Sequence, residues 1–431
     1  MLVEGFRTTT ARALLSAGML VALATSRASA VTLKVDDDGV QCPASAYTTI
    51  EAAVAAAAPG DKIKVCPGTY TPPGTIAVLK SLKIKGKAPK AKTCNTLAPL
   101  DPTVDSIVEA PTSTGVAGIG FDVFADGVTI QGLVITHAGE AAIRTDPAYS
   151  GFTLKKVVLV ENANGLYLHS NGAAPSFVKS SCFRRNTLAG IRTRYGLANA
   201  TIKKNVFSET QQAAAIILDQ ELPATNANVV VSRNQSQGDS TFAVVLGTTA
   251  SVLSKNTVDS TIGTAIFVGG NNANLEISGN TVTNAGTRGI RFNTAAFGGN
   301  ASTGVLVSKN TIDKAGKHGV VIDSGAGETT LTASAIDGNV VTNSGQGGDG
   351  DGIRVEDPTA SGANAGNTIQ SNTISGSFNH DCHDDTSGSG TAGTGNTWVG
   401  DTAATQNVAN LCKPGPANGV AEGSPSGAFL E

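Results

Sequence analysis

The chain has 431 residues, a formal net charge of -3, 4% aromatic residues and 15% charged residues. That balance excludes a nucleic-acid binder working through global charge, because phosphate recognition needs a concentrated basic surface. With 51 glycines and few large side chains, it also excludes an ordinary globular core and points to small, repeated layers.

Residues 1–30 have the layout of an export signal: Arg7 and Arg12, an apolar run over 13–24 (ALLSAGMLVALA), then SRASA ending at Ala30. The run is shorter than the ~20 residues that span a bilayer, so cleavage near Ala30 and a secreted or extracytoplasmic product are expected. No later stretch is apolar enough to span, and a soluble monomer is expected. In an oxidising compartment the six cysteines become candidates for disulfides.

The segment AYTTIEAAVAAAAPGDKIKVCPGTY (46–70) comes next. Thr48 and Glu51 read as a capping box, Pro59-Gly60 as the stop of an Ala-rich helix, and KIKVCPGTY as strand. So short a helix does not stand alone, so it is expected to lie against the open end of a sheet stack, with Cys42 and Cys66 paired to fix that cap. Lys80, Lys83, Lys85, Lys87, Lys90 and Lys92 follow, most of them alternating onto one strand face. Such a row is either a solvated edge that discourages aggregation or a surface for anionic glycans.

From about residue 128 a phrase repeats: NTVTNAGTRGIRFNT (280–294) and NTIDKAGKHGVVIDS (310–324) share one plan. Its first Asn recurs at Asn205, Asn234, Asn256, Asn280, Asn310, Asn339 and Asn372, with gaps from 22 (234 to 256) to 33 (339 to 372). The shortest gap sets the unit, and longer ones carry insertions after the second strand. Period-two segments such as Val305, Val307 and Ile312, separated by Gly, Asn, Asp and Ser corners, are strands and turns. Such units coil, and coils stack ~4.8 Å apart with identical amides in a hydrogen-bonded ladder.

The run YTTIEAAVAAAAPGDKIKVCPGTY, the repeated GNTV…GI phrases and the ending DCHDDTSGSGTAGTGNTW…LC resemble secreted bacterial right-handed parallel β-helix repeat proteins of the pectate-lyase-like superfamily. The resemblance covers nearly all of the mature chain. It implies an all-β, right-handed parallel β-helix solenoid over 31–412 with a short N-terminal capping helix and a disordered tail at 413–431. That superfamily includes lyases, hydrolases, epimerases and adhesins, so chemistry must be argued from residues.

Aligning the last strand of each unit gives an outward column of Arg144, Tyr167, Arg192, Ile217, Val245, Phe267, Arg291, Val321 and Arg354. Two residues on, the same face carries Asp146, His169, Arg194, Asp219, Gly247, Gly269, Asn293, Asp323 and Glu356. The first four coils bring Arg144, Asp146, Tyr167, His169, Arg192, Arg194 and Asp219 together. As a site for β-elimination on a uronic acid, Arg192 and Arg194 would hold the carboxylate with Arg144 nearby. His169 or Tyr167 would move protons, and Asp146 or Asp219 would orient them or help bind Ca²⁺. The bland alternative is a set of exposed charge pairs that keep a sheet face soluble.

Signatures of the superfamily's hydrolases are incomplete, with Asp384-Asp385 and Lys317-His318-Gly319 in different coils. The epimerase Asp-Pro-His also fails, since Ala148 follows Asp146-Pro147 and Thr359 follows Asp357-Pro358. GGDGDGIRVED (347–357) offers Asp349, Asp351, Glu356 and Asp357 for a structural Ca²⁺. NHDCHDD (379–385) admits zinc, but Cys382 is expected to pair with Cys412 and pin the C-terminal end. Cys94 and Cys182 remain, with their pairing open. The expected function is binding or processing of an acidic polysaccharide, by elimination if enzymatic; the alternative is a non-catalytic envelope scaffold or adhesin.

Overall fold

The computed structural model describes residues 29–219, 226–293, 302–323, 330–357 and 364–414. The proposed signal peptide (bar its last two residues) and the tail beyond 414 therefore lie outside the described residues. Within them the chain is a parallel β-helix whose three sheets hold 15, 14 and 12 strands. The first sheet starts at Thr32–Val35, the second at Gly68–Tyr70 and the third at Ile76–Val78.

Each strand is short because each coil turns a corner after about three residues, and each pairs in parallel with the strand one coil away. In the first sheet one inward column runs from Ile63 through Ile84, Ile130 and Leu154. It continues through Ile277, Val307 and Ile336 to Trp398. All of these except Trp398, at 4%, are completely buried. Burial contributes ~25 cal/mol per Å² of apolar surface, and here medium-sized aliphatic side chains supply it layer by layer.

The repeated asparagines form the expected ladder at one corner. Asn205 Nδ2 donates to Asn234 Oδ1 at 3.1 Å, and the chain of amides continues through Asn256, Asn280, Asn310 and Asn339 to Asn372. Each Nδ2 also donates to a backbone carbonyl, as Asn280 does to Leu253 O at 3.0 Å. Asp401, whose Oδ1 accepts from Asn372 Nδ2, closes the ladder at 2.8 Å. The residue before each ladder position takes positive φ, as at Lys204, Arg233, Lys255 and Lys309. A left-handed conformation costs an L-residue roughly 1–2 kcal/mol, and the buried amide bonds that follow hold it in place.

The capping helix spans Ile50–Ala56 and buries Ile50, Ala53 and Val54. Its N-cap is Thr49, whose hydroxyl accepts from Ala52 N at 3.2 Å; the expected box from Thr48 to Glu51 does not form. Glu51 sits one position too early to reach back. Lys80 leaves the exposed lysine row and donates to the helix-end carbonyls of Ala55 and Ala57 at 2.8 and 2.7 Å. Cys42–Cys66 and Cys382–Cys412 pair as expected. Cys94–Cys182 is also a disulfide, joining the short helical turn Ala91–Thr96 to the second-sheet strand Cys182–Arg184. Lys413–Pro414 pairs with Thr402–Ala403, so strand structure continues just past the expected end at 412.

One register is corrected. Ile217 pairs with Val244 rather than Val245, and Gly269 with Leu246 rather than Gly247. Val245 and Val268 then share the inward column.

Asn280 both donates to and accepts from its neighbours in the ladder. Asn280→Ala takes the side-chain partner from Asn256 N and Leu253 O in the preceding coil, at about 1–3 kcal/mol apiece. A lowered denaturation midpoint is expected, and an unchanged midpoint would show that the ladder does not hold the stack.

Candidate functional site

The third sheet presents two polar patches on its outer face. The first is the expected one. Arg144, Tyr167 and Arg192 are in register on successive coils, and they are closed on partners. Arg144 makes a two-pronged pair with Asp122, with Nε to Oδ1 at 3.0 Å. The Tyr167 hydroxyl donates to Glu140 Oε1 at 2.8 Å and accepts from Asn164 Nδ2 at 2.9 Å. Burial, then Glu140, pushes this phenol up to about 12. Arg192 pairs with Asp219 at 2.8 Å, and Asp146 accepts from Ala148 N to shape its own turn.

His169 is 2% exposed. The backbone N–H of Arg194 donates to its Nε2 at 3.2 Å, which places the ring proton on Nδ1, and Nδ1 donates to Thr145 O at 2.6 Å. Burial, above all, lowers its pKa to about 4. Both ring nitrogens of His169, expected to move protons, hold backbone groups. The patch forms as expected but is an interlocked electrostatic face whose keys, Asp122 and Glu140, lie outside the aligned columns.

The second patch is assembled near the C-terminal end. Pairing sets Arg291, Val321, Arg354 and His383 in one outward column. Two residues on stand Asp323, Glu356 and Asp385. Arg291 Nε donates to Asp323 Oδ2 at 2.7 Å, and Arg288 lies 4.0 Å from the same oxygen. Arg354 reaches Glu356 at 2.9 Å, Asp351 at 3.0 Å and Asp385 at 3.4 Å.

Asp323 and Glu356 hydrogen-bond to each other, so at least one oxygen of the pair carries a proton. Burial, then Asp323, pushes Glu356 up to about 7. Burial also acts to raise Asp323, but the bond from Glu356 and the Arg291 guanidinium outweigh it and hold Asp323 below the usual carboxylate range. The two carboxyls are thus driven apart, Glu356 upward and Asp323 downward, the kind of separation expected of working carboxyl groups.

Asp351 lies alongside, fully buried. Its backbone N–H donates to His318 Nδ1 at 3.0 Å, and its carboxylate faces His380 and His383, each Nδ1 at 3.3 Å. His383 Nε2 meets Asp385 at 2.8 Å. Burial would lower the His383 pKa, but Asp351 and Asp385 outweigh it and carry it up to about 9.

The expected calcium set does not close. Asp349 is half exposed and turned to Lys317 and Asn379, Asp351 faces imidazoles, and Glu356 faces Asp323 and Arg354. Among the described residues, Asp349, Asp351, Glu356 and Asp357 do not converge; Asp351, His380 and His383 do, as do Asp36, Asp37 and Asp38 near the N-terminus. KHG, GGDGDG and NHDCHDD, read separately in the sequence, meet in space. His318 and Asp351 are 33 residues apart and Asp351 and His380 29 apart, each about one coil.

The family described as right handed beta helix region matches residues 141–300. Among solved structures, a PL6 alginate lyase in complex with a trisaccharide aligns at TM-score 0.52 and 13% identity, covering 90% of this chain and 88% of that one. DFA-IIIase from Arthrobacter chlorophenolicus A6 in complex with GF2 aligns at 0.52 and 15%, covering 72% and 83%. The Agl-KA catalytic domain aligns at 0.55 and 12%, covering 84% of this chain and 63% of that domain. At such identities the likeness establishes the fold. No curated protein sequence matches.

Because Asp323 helps to raise Glu356, Asp323→Asn is expected to move the Glu356 titration downward from about 7. Carboxyl-carbon NMR of the two proteins checks this, and an unmoved titration would show that burial alone sets it.

Proposed function

We propose that this chain, a right-handed parallel β-helix protein of the pectate-lyase-like fold, binds an acidic polysaccharide on its sheet faces and cleaves it by β-elimination at Asp323 and Glu356. The observation that carries this reading is the carboxyl pair Asp323 and Glu356 ringed by Arg288, Arg291 and Arg354, with Glu356 pushed up to about 7.

Elimination removes a ring proton beside a uronate carboxylate and delivers a proton to the departing glycosidic oxygen on the same face. In this reading Arg291 and Arg288 take the uronate carboxylate, and drawing Arg291 away from Asp323 restores that carboxylate's basicity. Asp323 then accepts the ring proton while Glu356 gives its own to the leaving oxygen. The pair ends with its proton on the other member, and the hydrogen bond between them returns it. A hydrolytic pair fits less well: those carboxyls stand ~5–5.5 Å apart in retaining enzymes and ~6.5–9.5 Å in inverting ones, whereas these two touch.

An anionic polymer is supported by the first sheet. Its outer face aligns Lys62 with Lys83, Lys64 with Lys85, and Lys155 with Lys179 and Lys203. Burial, then the neighbouring Lys83 and Lys179, lowers the Lys155 pKa. Like charges directly opposite one another are destabilising, so a column of them is explained by a polyanionic ligand. Lys90, Lys92, Lys156, Lys204 and Arg233 line an adjoining cleft of about 610 Å³. The first patch of the third sheet serves binding in this reading: Arg194 lies 5.8 Å from the centre of the Tyr195 ring, which is 52% exposed and open to stacking by a sugar.

Incubation with pectate, alginate and hyaluronan is expected to release unsaturated ends absorbing in the ultraviolet. Glu356→Gln should lower the rate by about 10²–10⁴-fold, the usual weight of a general acid. Because Glu356 acts protonated, the rate should fall as pH rises through about 7. Polymer binding without product, in wild type and variant alike, would leave the scaffold reading.

Binding is expected to weaken as salt rises and on Lys155→Gln with Lys179→Gln. Salt-independent binding would remove the lysine face from the reading.

A further inference from the structure

We propose that Asp351, His380 and His383 form a site for a divalent transition-metal ion, with Zn²⁺ the best fit, on the outer face of the third sheet. The site stands apart from the polysaccharide reading, since it is defined with no substrate present.

The geometry comes first. His380 Nδ1 and His383 Nδ1 each lie 3.3 Å from Asp351 Oδ1, and all three ligand atoms fall within 4.8 Å of one another. Zinc bonds to nitrogen and carboxylate oxygen are ~2.0–2.2 Å, so ligands on one ion at tetrahedral to right-angled positions stand roughly 2.9–3.4 Å apart. The two observed separations fall in that interval.

A second observation points to a ligand. Both Nδ1 atoms are shut off from solvent and neither has a hydrogen-bond partner. Each faces the Asp351 carboxylate at ion-pair distance, and one ion held between the three would give both nitrogens a partner. Further support comes from behind His383, where Nε2 contacts Asp385 Oδ1 at 2.8 Å. A carboxylate on the far nitrogen is the arrangement that fixes the ring of a metal-bound histidine. Asp351 is itself fixed, its backbone N–H donating to His318 and its Oδ1 accepting from His380 N at 3.1 Å. Three of the chain's five histidines gather here.

The donor set decides the metal. Calcium takes six to eight oxygens, whereas two imidazoles and one carboxylate suit zinc and its neighbours. The opposing charge is Arg354, 3.0 Å from Asp351 Oδ2; it occupies the oxygen that His380 and His383 do not face, shared with His318 Nδ1 at 3.5 Å. His380 is the most exposed of the three ligands, at 36%, and marks the side from which an ion and its remaining ligands enter.

The test uses untagged full-length protein stripped with chelator and dialysed against Zn²⁺ or Co²⁺. One equivalent of Zn²⁺ per chain is expected, with visible Co²⁺ absorption bands typical of nitrogen ligation and a raised melting temperature. His380→Ala, at the partly exposed position, should fold as wild type and weaken Zn²⁺ binding by at least about tenfold, and His383→Ala should do the same. His137→Ala, at an exposed histidine elsewhere, should change nothing. No stoichiometric Zn²⁺, or binding equal to wild type in both His380→Ala and His383→Ala, overturns the proposal. Glycan cleavage is not among the readouts, so failure here leaves the acid-pair reading standing, and the reverse holds.

Discussion

Everything in this protein depends on parallel pairing at a spacing of one coil. A strand slipped by one residue would turn its inward aliphatic column to solvent, and it would also leave the amides of the asparagine ladder without partners. The two penalties act on the same register, one through burial and one through buried hydrogen bonds. Because Asn205 to Asn372 is satisfied only by the coil above and the carbonyl below, each coil is fixed by its neighbours. Side chains on the outer faces inherit that precision, so residues 29–33 apart in the chain become neighbours at fixed distances.

This explains what the sequence made legible. Period-two segments, the recurrent Asn and the outward columns are local signals repeated many times, and the coil stack follows from them. The slip at Val244 arose where two consecutive valines satisfy the same pattern, so only pairing decides between them. The first patch was legible as a cluster but not as a set of closed pairs. Asp122 and Glu140, which neutralise Arg144 and hold Tyr167, belong to a strand and a turn outside the repeated phrase. The second patch was present in the columns as Arg291, Asp323, Arg354 and Glu356, yet its chemistry is carried by burial and proton sharing. Those arise only when Glu356 is packed against Asp323.

The two patches use one scaffold in opposite ways. In the first, Arg144 and Arg192 each have an anion, and both ring nitrogens of His169 hold backbone groups. In the second, two carboxyls touch, and burial, then Asp323, pushes Glu356 up to about 7. A stack optimised for stability alone would place a cation or an amide between them, as it does at Arg192 and Asp219. The coil register is strong enough to carry a locally unfavourable contact, and such contacts concentrate where a protein works.

Arg354 joins the acid pair to the histidine cluster, since its guanidinium touches Glu356, Asp351 and Asp385 together. A positive ion beside Asp351 would compete with Arg354 for that carboxylate and leave the guanidinium freer to favour ionised Glu356. A proton on Glu356 and an ion at Asp351 would therefore oppose one another through a single side chain. Linkage makes the effect reciprocal: whatever the ion does to the acidity of Glu356, ionisation of Glu356 does to affinity for the ion. The acid pair and the histidine cluster, on separate coils, are thus joined electrostatically by the residue that the stacking places between them.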